Sequence, residues 1–277
     1  MDMNWFECIL YGLVSGMTEI LPVSSQAHEA LLLKLFGAGE NPLLRILVHT
    51  AIWEALYLSL RDHVELMLQE RDLARIPPRR RDRQPDPIPL FDLKLTRSAL
   101  IPMLLGFALS PLLRSWQTDL SKAAIFLVLN GLILYIPCRI QSGNKDSRSM
   151  TGLDSLLLGI SGALAVFPGI SRVGAVVSTA VGRGADKEHA LRWAFLLSLA
   201  ALMGVIGFDA LALFRTGVEA LTVPVVLSYA LATAAAFFGA VAGIRGMRFL
   251  AVHTGFSGFS YYCWGAALFA FLMYLTI

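Results

Sequence analysis

Charge is scarce in this chain. Of its 277 residues only 16% are charged, 56% are hydrophobic and the mean hydropathy is +0.63. Soluble domains carry about a quarter charged residues, and the many apolar runs here exceed what a soluble all-α protein of this length can bury. Cysteine is scarcer still. Cys8, Cys138 and Cys263 stand singly, which excludes a disulfide framework and a clustered zinc site and leaves three packing residues. No basic segment precedes the first apolar run, "MDMNWFECIL", and no small-residue cleavage site follows it, so this run is not read as a signal peptide. The net charge of +3 is unremarkable in total, so its distribution matters more.

What is present is a series of apolar runs near the length of about 20 residues that crosses a bilayer. Six read as full spans: Leu43–Leu60, Ser98–Leu113, Ala123–Pro137, Trp193–Phe214, Val223–Ile244 and Ser257–Ile277. Two more are interrupted. Trp5–Phe36 breaks at Pro22-Val23-Ser24-Ser25, and Leu153–Val181 breaks at Pro168-Gly169-Ile170-Ser171. Each half is too short to cross alone, so each region reads as a re-entrant hairpin. The Arg-rich segment Arg61–Arg97 reads as a solvated cytoplasmic loop rather than a nucleic-acid patch. From that assignment Arg139–Arg148, Arg183–Arg192 and Arg245–His253 are cytoplasmic too, and both chain ends lie outside. The expected fold is an all-α polytopic membrane protein with six transmembrane helices and two re-entrant hairpins.

Each half is then a hairpin followed by three spans of opposite orientation, an inverted-topology repeat in one membrane domain, 1–277. The first repeat covers 1–137, with the basic loop 61–97, and the second 150–277. Ser15, Gly16, Pro22 and Ser25 recur 146 positions later as Ser161, Gly162, Pro168 and Ser171.

The breaks are where chemistry is expected. A helix restarting after each break offers unpaired N–H donors and a partial positive charge, a ready anion site. Ser24, Ser25 and Ser171 add hydroxyls there or serve as plain N-caps. Arg172 adds a planar charge suited to phosphate, or pairs structurally with Glu19 or Asp209. Glu19 and His28, with Arg172 on the facing hairpin, supply a carboxylate and an imidazole, the groups that phosphoryl transfer uses; read alone, His28 is as readily a hydrogen-bonded packing histidine. Glu29, next to His28, is read as facing away from this pocket, with Glu29 or Glu54 as the alternative source of a second carboxylate beside Ser15. Glu54 and His49, five apart, do not share a helix face, and Asp209 awaits an arginine partner. The aromatic stretch "FSYYCWG" (Phe259–Gly265) reads as packing or a lipid-facing belt.

"GMTEILPVSSQAH" and "FPGISRVGAVVS" resemble the two signature motifs of the undecaprenyl-diphosphate phosphatase family of the bacitracin-resistance type, and the likeness extends through "RWAFLLSLAALMG". The resemblance implies a bacterial cell-membrane enzyme with an inverted-repeat fold. It would remove the terminal phosphate of a polyprenyl diphosphate and so recycle the lipid carrier of cell-wall synthesis. It implies nucleophile or base chemistry for Ser24, Ser25 and His28, phosphate binding for Gly169, Ser171 and Arg172, and a divalent cation, Mg²⁺ or Ca²⁺, at Glu19. The pocket is expected to open outward. Membrane lipids and the polyprenyl substrate are the expected partners, and the oligomeric state is left open, a homo-oligomer included.

Four positions depart from the pattern. Ser15 stands where an acid or amide is usual, Val173 where a serine follows the arginine, His49 at a usual glutamine and Cys263 at a typical arginine. A polyprenyl-phosphate translocator with little hydrolysis is the rival reading, favoured by Ser15 and Val173. A small-anion transporter would explain the pocket but not the extended motifs.

Overall fold

A computed structural model describes residues 3–74, 88–140, 143–217, 221–253 and 256–276. Among them it is helical throughout, with no strand beyond one isolated bridge between Lys145 and Ala185. The helices are α1 (Trp5–Ile20), α2 (Ser25–Phe36), α3 (Pro42–Ala74), α4 (Ile88–Phe107), the short α5 (Arg114–Gln117), α6 (Leu120–Arg139), α7 (Gly152–Ala163), α8 (Arg172–Gly182), α9 (Lys187–Thr216), α10 (Val223–His253) and α11 (Ser257–Thr276).

Five of these, α3, α6, α9, α10 and α11, are long and apolar enough to cross a membrane. They carry large apolar side chains outward, among them Phe214, Val223, Phe238, Leu268 and Leu275. The protein is a polytopic helical membrane protein. The sixth expected span, Ser98–Leu113, falls on α4 and a following 3₁₀ turn, Ser110–Leu113. It is not among the five, since α4 begins ten residues early and takes in Asp92, Lys94 and Arg97.

The basic segments differ from expectation. Arg61–Ala74 is not loop but the continuation of α3, and Ile88–Arg97 opens α4. Only 75–87, with Arg79, Arg80 and Arg81, lies outside the described residues. Long charged side chains are good helix formers, and Arg61 pairs with Glu65 one turn on at 2.7 Å. Likewise α9 begins inside Arg183–Arg192, and α10 runs through Arg245–His253.

These segments converge at one end of the bundle. Asp92, fully buried, accepts from Trp193 Nε1 at 2.8 Å and from the Ser147 hydroxyl, with His63 Nε2 at 2.8 Å and Arg192 Nη1 at 3.7 Å. Arg248 donates to Ser59 O at 3.0 Å. A lone buried carboxylate would be costly; this one is stable because several donors surround it.

Both interrupted regions are helical pairs, α1–α2 and α7–α8. At 1.5 Å per residue their four arms are only about 16–24 Å long, short of the roughly 30 Å hydrocarbon core. The first arm of each pair packs on the other half of the chain: α1 lies along α10, and α7 along α4. Two G-x3-G patterns meet in the first contact, Gly12 and Gly16 on α1, and Gly239 and Gly243 on α10. Small residues let the backbones approach, which is how helices associate where lipid removes the hydrophobic drive. A Cβ at Gly16 would collide with the carbonyl of Ala236, whereas one at Gly246 meets nothing. Gly16→Ala is therefore expected to cost about 1–3 kcal/mol, while Gly246→Ala is neutral or gains up to about 1 kcal/mol from helix propensity. Thermal unfolding of the two variants in detergent checks the contrast.

Candidate active site at the meeting of two broken helices

The two breaks face each other. Pro22 ends the first arm, after Leu21 N–H makes the last helical bond, to Met17 O at 3.0 Å. The chain turns through Ser24, the one non-glycine described residue with positive φ (+69°), before α2 begins at Ser25. In the second pair Gly169 takes φ +109°, and a Cβ there would lie 2.7 Å from Ala123 O and Leu127 N of α6. Only glycine fits such backbone at such a distance.

The polar groups freed by the breaks satisfy one another across the two pairs. The N–H of Gly169 donates to Ser24 Oγ at 3.1 Å. Asn130, fully buried on α6, donates from Nδ2 to Pro22 O at 2.9 Å and accepts at Oδ1 from Ser171 N–H, also at 2.9 Å. One side-chain amide thus holds both breaks. Cys263 Sγ of α11 sits 3.2 Å from the same Nδ2. Ser171 is an N-cap, accepting from Gly174 N at 3.2 Å, and Ser24 holds the cap position of α2 without making the cap bond.

Beside this junction lies a pocket lined by Glu19, Ser24, Ser25, Glu29, Arg45, His49, Ser171 and Arg172, with Thr18 and Gln26. Ser25 donates its hydroxyl to Glu19 Oε2, and Arg172 Nη2 donates to Glu19 Oε1. Of the two structural partners considered for Arg172, Glu19 is the one it meets. The guanidinium keeps Nε and Nη1 buried with no hydrogen-bond partner, and its Cζ lies 5.7 Å from the centre of the Phe107 ring.

Glu19, Ser24, Ser25, Ser171 and Arg172 are thus brought together, with Gly169 at the junction. His28 is not among the lining residues. Its Nδ1 lies 2.7 Å from Ser24 O, and its Nε2 lies 2.8 Å from the Tyr262 hydroxyl, against whose ring it stacks. A carbonyl only accepts, so Nδ1 carries the proton and Nε2 accepts from Tyr262.

Glu29 does not face away; it lines the pocket, the position that the alternative reading of a second carboxylate requires. Residues 25 and 29 are one turn apart on α2 and share a face. Its Oε1 lies 3.8 Å from His49 Nε2, and His49 Nδ1 lies 3.6 Å from Asp209 Oδ2. Arg45 Nε pairs with the same Asp209 oxygen at 3.5 Å, which meets the expectation of an arginine partner for that acid. Ser15 sits beside Glu29, so the carboxylate missing from α1 arrives from α2. Glu54 is exposed, and Val173 is buried in the core.

Arg45, Asn130 and Tyr262 were not legible as site residues. A lone asparagine inside the apolar run of α6 was the available signal, since polar side chains at that depth are rare without a function.

The donor set around Glu19 does not fit a divalent cation. Both carboxylate oxygens are engaged, one of them by a cation, and among the described residues no group of three His, Cys, Asp or Glu side chains assembles into a cage.

Removing the Asn130 amide would orphan two buried backbone groups, each worth about 1–3 kcal/mol. Asn130→Leu is expected to lower the thermal midpoint in detergent well beyond Gly246→Ala and to abolish activity. Asn130→Asp, which lacks the donor to Pro22 O, should be nearly as damaging.

The family described as "Bacitracin resistance protein BacA" matches residues 8–269. The chain is 34% identical over 208 residues to an undecaprenyl-diphosphatase of Carboxydothermus hydrogenoformans, covering 75% of this chain and 74% of that protein. It is 29% identical over 270 residues to an undecaprenyl-diphosphatase of Alkaliphilus metalliredigens, covering 95% and 96%. It is 27% identical over 279 residues to undecaprenyl-diphosphatase 3 of Bacillus cereus, covering 99% of each. With its paired motifs folded into one buried pocket and the match running almost end to end, the chain belongs to the bacitracin resistance protein BacA family.

Proposed function

We propose that this protein is a membrane hydrolase that converts undecaprenyl diphosphate to undecaprenyl phosphate and inorganic phosphate. The observation that carries the reading is Arg172: a buried guanidinium with two unpaired donors in a pocket at the start of two helices. Such donors invite an oxyanion, and a planar guanidinium matches phosphate bidentately. The names of the relatives supply the rest, and they favour hydrolysis over translocation.

Ser25 is the attacking group. Its hydroxyl already donates to Glu19, which takes the proton as Oγ bonds to the terminal phosphorus. The bond to the bridging oxygen breaks, and the lipid monophosphate leaves with the electron pair. Arg172 and the N–H groups opening α2 and α8 stabilise the equatorial oxygens. His28, with both ring nitrogens engaged, holds the Ser24 turn against α11 rather than attacking.

The topology belongs to the same proposal. Six spans, two re-entrant hairpins, both ends outside and an outward-facing pocket in a bacterial cell membrane are supported by the converging basic segments at one end of the bundle. The reciprocal packing of α1 on α10 and α7 on α4 is what two inverted repeats, 1–137 and 150–277, would produce.

Purified protein given undecaprenyl diphosphate is expected to release inorganic phosphate. Arg172→Lys should fold yet lose about 10²–10³-fold in kcat/KM, the cost of one transition-state donor, because a point charge cannot replace both the Glu19 contact and a bidentate phosphate contact. Near-normal kcat/KM in that variant would remove Arg172 from the site, and binding without release would favour a translocator. For the topology, a cysteine placed by Arg81→Cys in intact cells should resist an impermeant thiol reagent until the membrane is opened.

A further inference from the structure

Four polar groups under the pocket have no part in the steps above. Glu29 Oε1, His49 Nδ1, Arg45 Nε and Asp209 Oδ2 are all buried, and none has a hydrogen-bond partner. They come from α2, α3 and α9 and form an acid–imidazole–acid series: Glu29 to His49 at 3.8 Å, then His49 to Asp209 at 3.6 Å. Arg45 lies against Asp209 at 3.5 Å and Glu40 at 3.5 Å. Orphaned buried polar atoms are rare and need a reason, such as water, a ligand or a catalytic role. Arg45 and Asp209 neutralise each other, and His49 shares Asp209. Glu29 is left as the carboxylate that reaches the pocket, one helical turn from Ser25 and about 5–6 Å away at Cβ. A second cavity, lined by Tyr11, Glu40 and Gln117 among others, shares Gln26, Glu29 and Arg45 with the first. Glu29 therefore borders both.

We propose that Glu29 is a further catalytic residue: it accepts the proton of the water that hydrolyses phosphorylated Ser25, with His49 as its positioning residue. The inference rests on the serine route proposed above. In the step, the water oxygen bonds to phosphorus while one of its protons passes to Glu29. The bond from phosphorus to Ser25 Oγ breaks, its electron pair stays on Oγ, and Oγ takes back the proton held by Glu19. Inorganic phosphate leaves, and Glu29 gives its proton to solvent along the second cavity. Glu19 serves the first half of the reaction and is protonated when the second begins, so it cannot also deprotonate the water. A second base is required, and Glu29 is the carboxylate on the same helix face as Ser25. His49 holds Oε1 from behind, and Asp209 with Arg45 fixes His49.

The test is rapid quench of the whole purified protein in detergent with undecaprenyl diphosphate, following lipid monophosphate and inorganic phosphate separately. Glu29→Gln should release about one equivalent of lipid monophosphate per protein at a near wild-type rate, with the phosphate retained on the protein. Its steady-state phosphate release should fall about 10²–10⁴-fold, the range of a lost general base. Glu29→Asp, which keeps the acid, should recover part of the second phase and also guards against a folding defect in the amide variant. His49→Gln should slow only the second phase, lowering kcat and KM together and leaving kcat/KM unchanged, which a merely structural role would not do. Phosphate release by Glu29→Gln at the wild-type rate, or equal loss of both phases in Glu29→Gln and Glu29→Asp, overturns the proposal while leaving Ser25 in place. An active Ser25→Ala instead overturns the serine route, and the Glu29 step falls with it.

Discussion

Everything at the centre of this protein depends on one constraint: a helix broken where water is excluded must find partners for the backbone groups it frees. Here each break is the other's partner. Ser24 Oγ receives the Gly169 N–H, and Asn130 spans Pro22 O and the Ser171 N–H. Neither interrupted pair would be stable alone with those groups buried and unpaired. The two halves of the chain are therefore held together at the point where their helices begin, and that is also where an anion is best bound.

Catalytic capability follows from the same arrangement. The Glu19–Arg172 contact joins the first arm of one pair to the second arm of the other. A buried ion pair adds little net stability over apolar packing, so its value lies in placing two charges. Glu19 engages the Ser25 hydroxyl with one oxygen and Arg172 with the other, and the guanidinium keeps two buried donors unpaired. Ser24, at φ +69°, stores strain of about 1–3 kcal/mol. The contacts of Ser24 O with His28, and of His28 with Tyr262, keep that turn in place.

The departures from the family pattern read differently once folded. Ser15 looked like a lost carboxylate, yet Glu29 stands beside it from the next helix. His49 looked like an isolated substitution, yet it lies between two acids. Cys263 lies against Asn130 in the junction, so its change touches the scaffold rather than the phosphate. The charged side chains that line the pocket come from α1, α2, α3 and α8.

The sequence by itself determined the class of protein, the two interrupted regions and the residues that open the new helices, because proline, glycine and the length of apolar runs act locally. It also contained Glu19, Ser25 and Arg172 as a set, through the paired motifs. It misjudged the ends of α3, α4, α9 and α10, since charged helix formers look the same in a loop as in a helix leaving a membrane. Only the tertiary structure decided that Glu29 faces in and His28 faces Tyr262. Both lie within one turn of Ser25, and helical spacing alone gives each a claim to the same side. What separates them is the neighbours: Tyr262 of α11, 234 positions on, against His28, and His49 of α3, itself held by Asp209 of α9, beside Glu29. For the same reason Asn130 could not be assigned in advance: its role exists only where two breaks far apart in the chain meet.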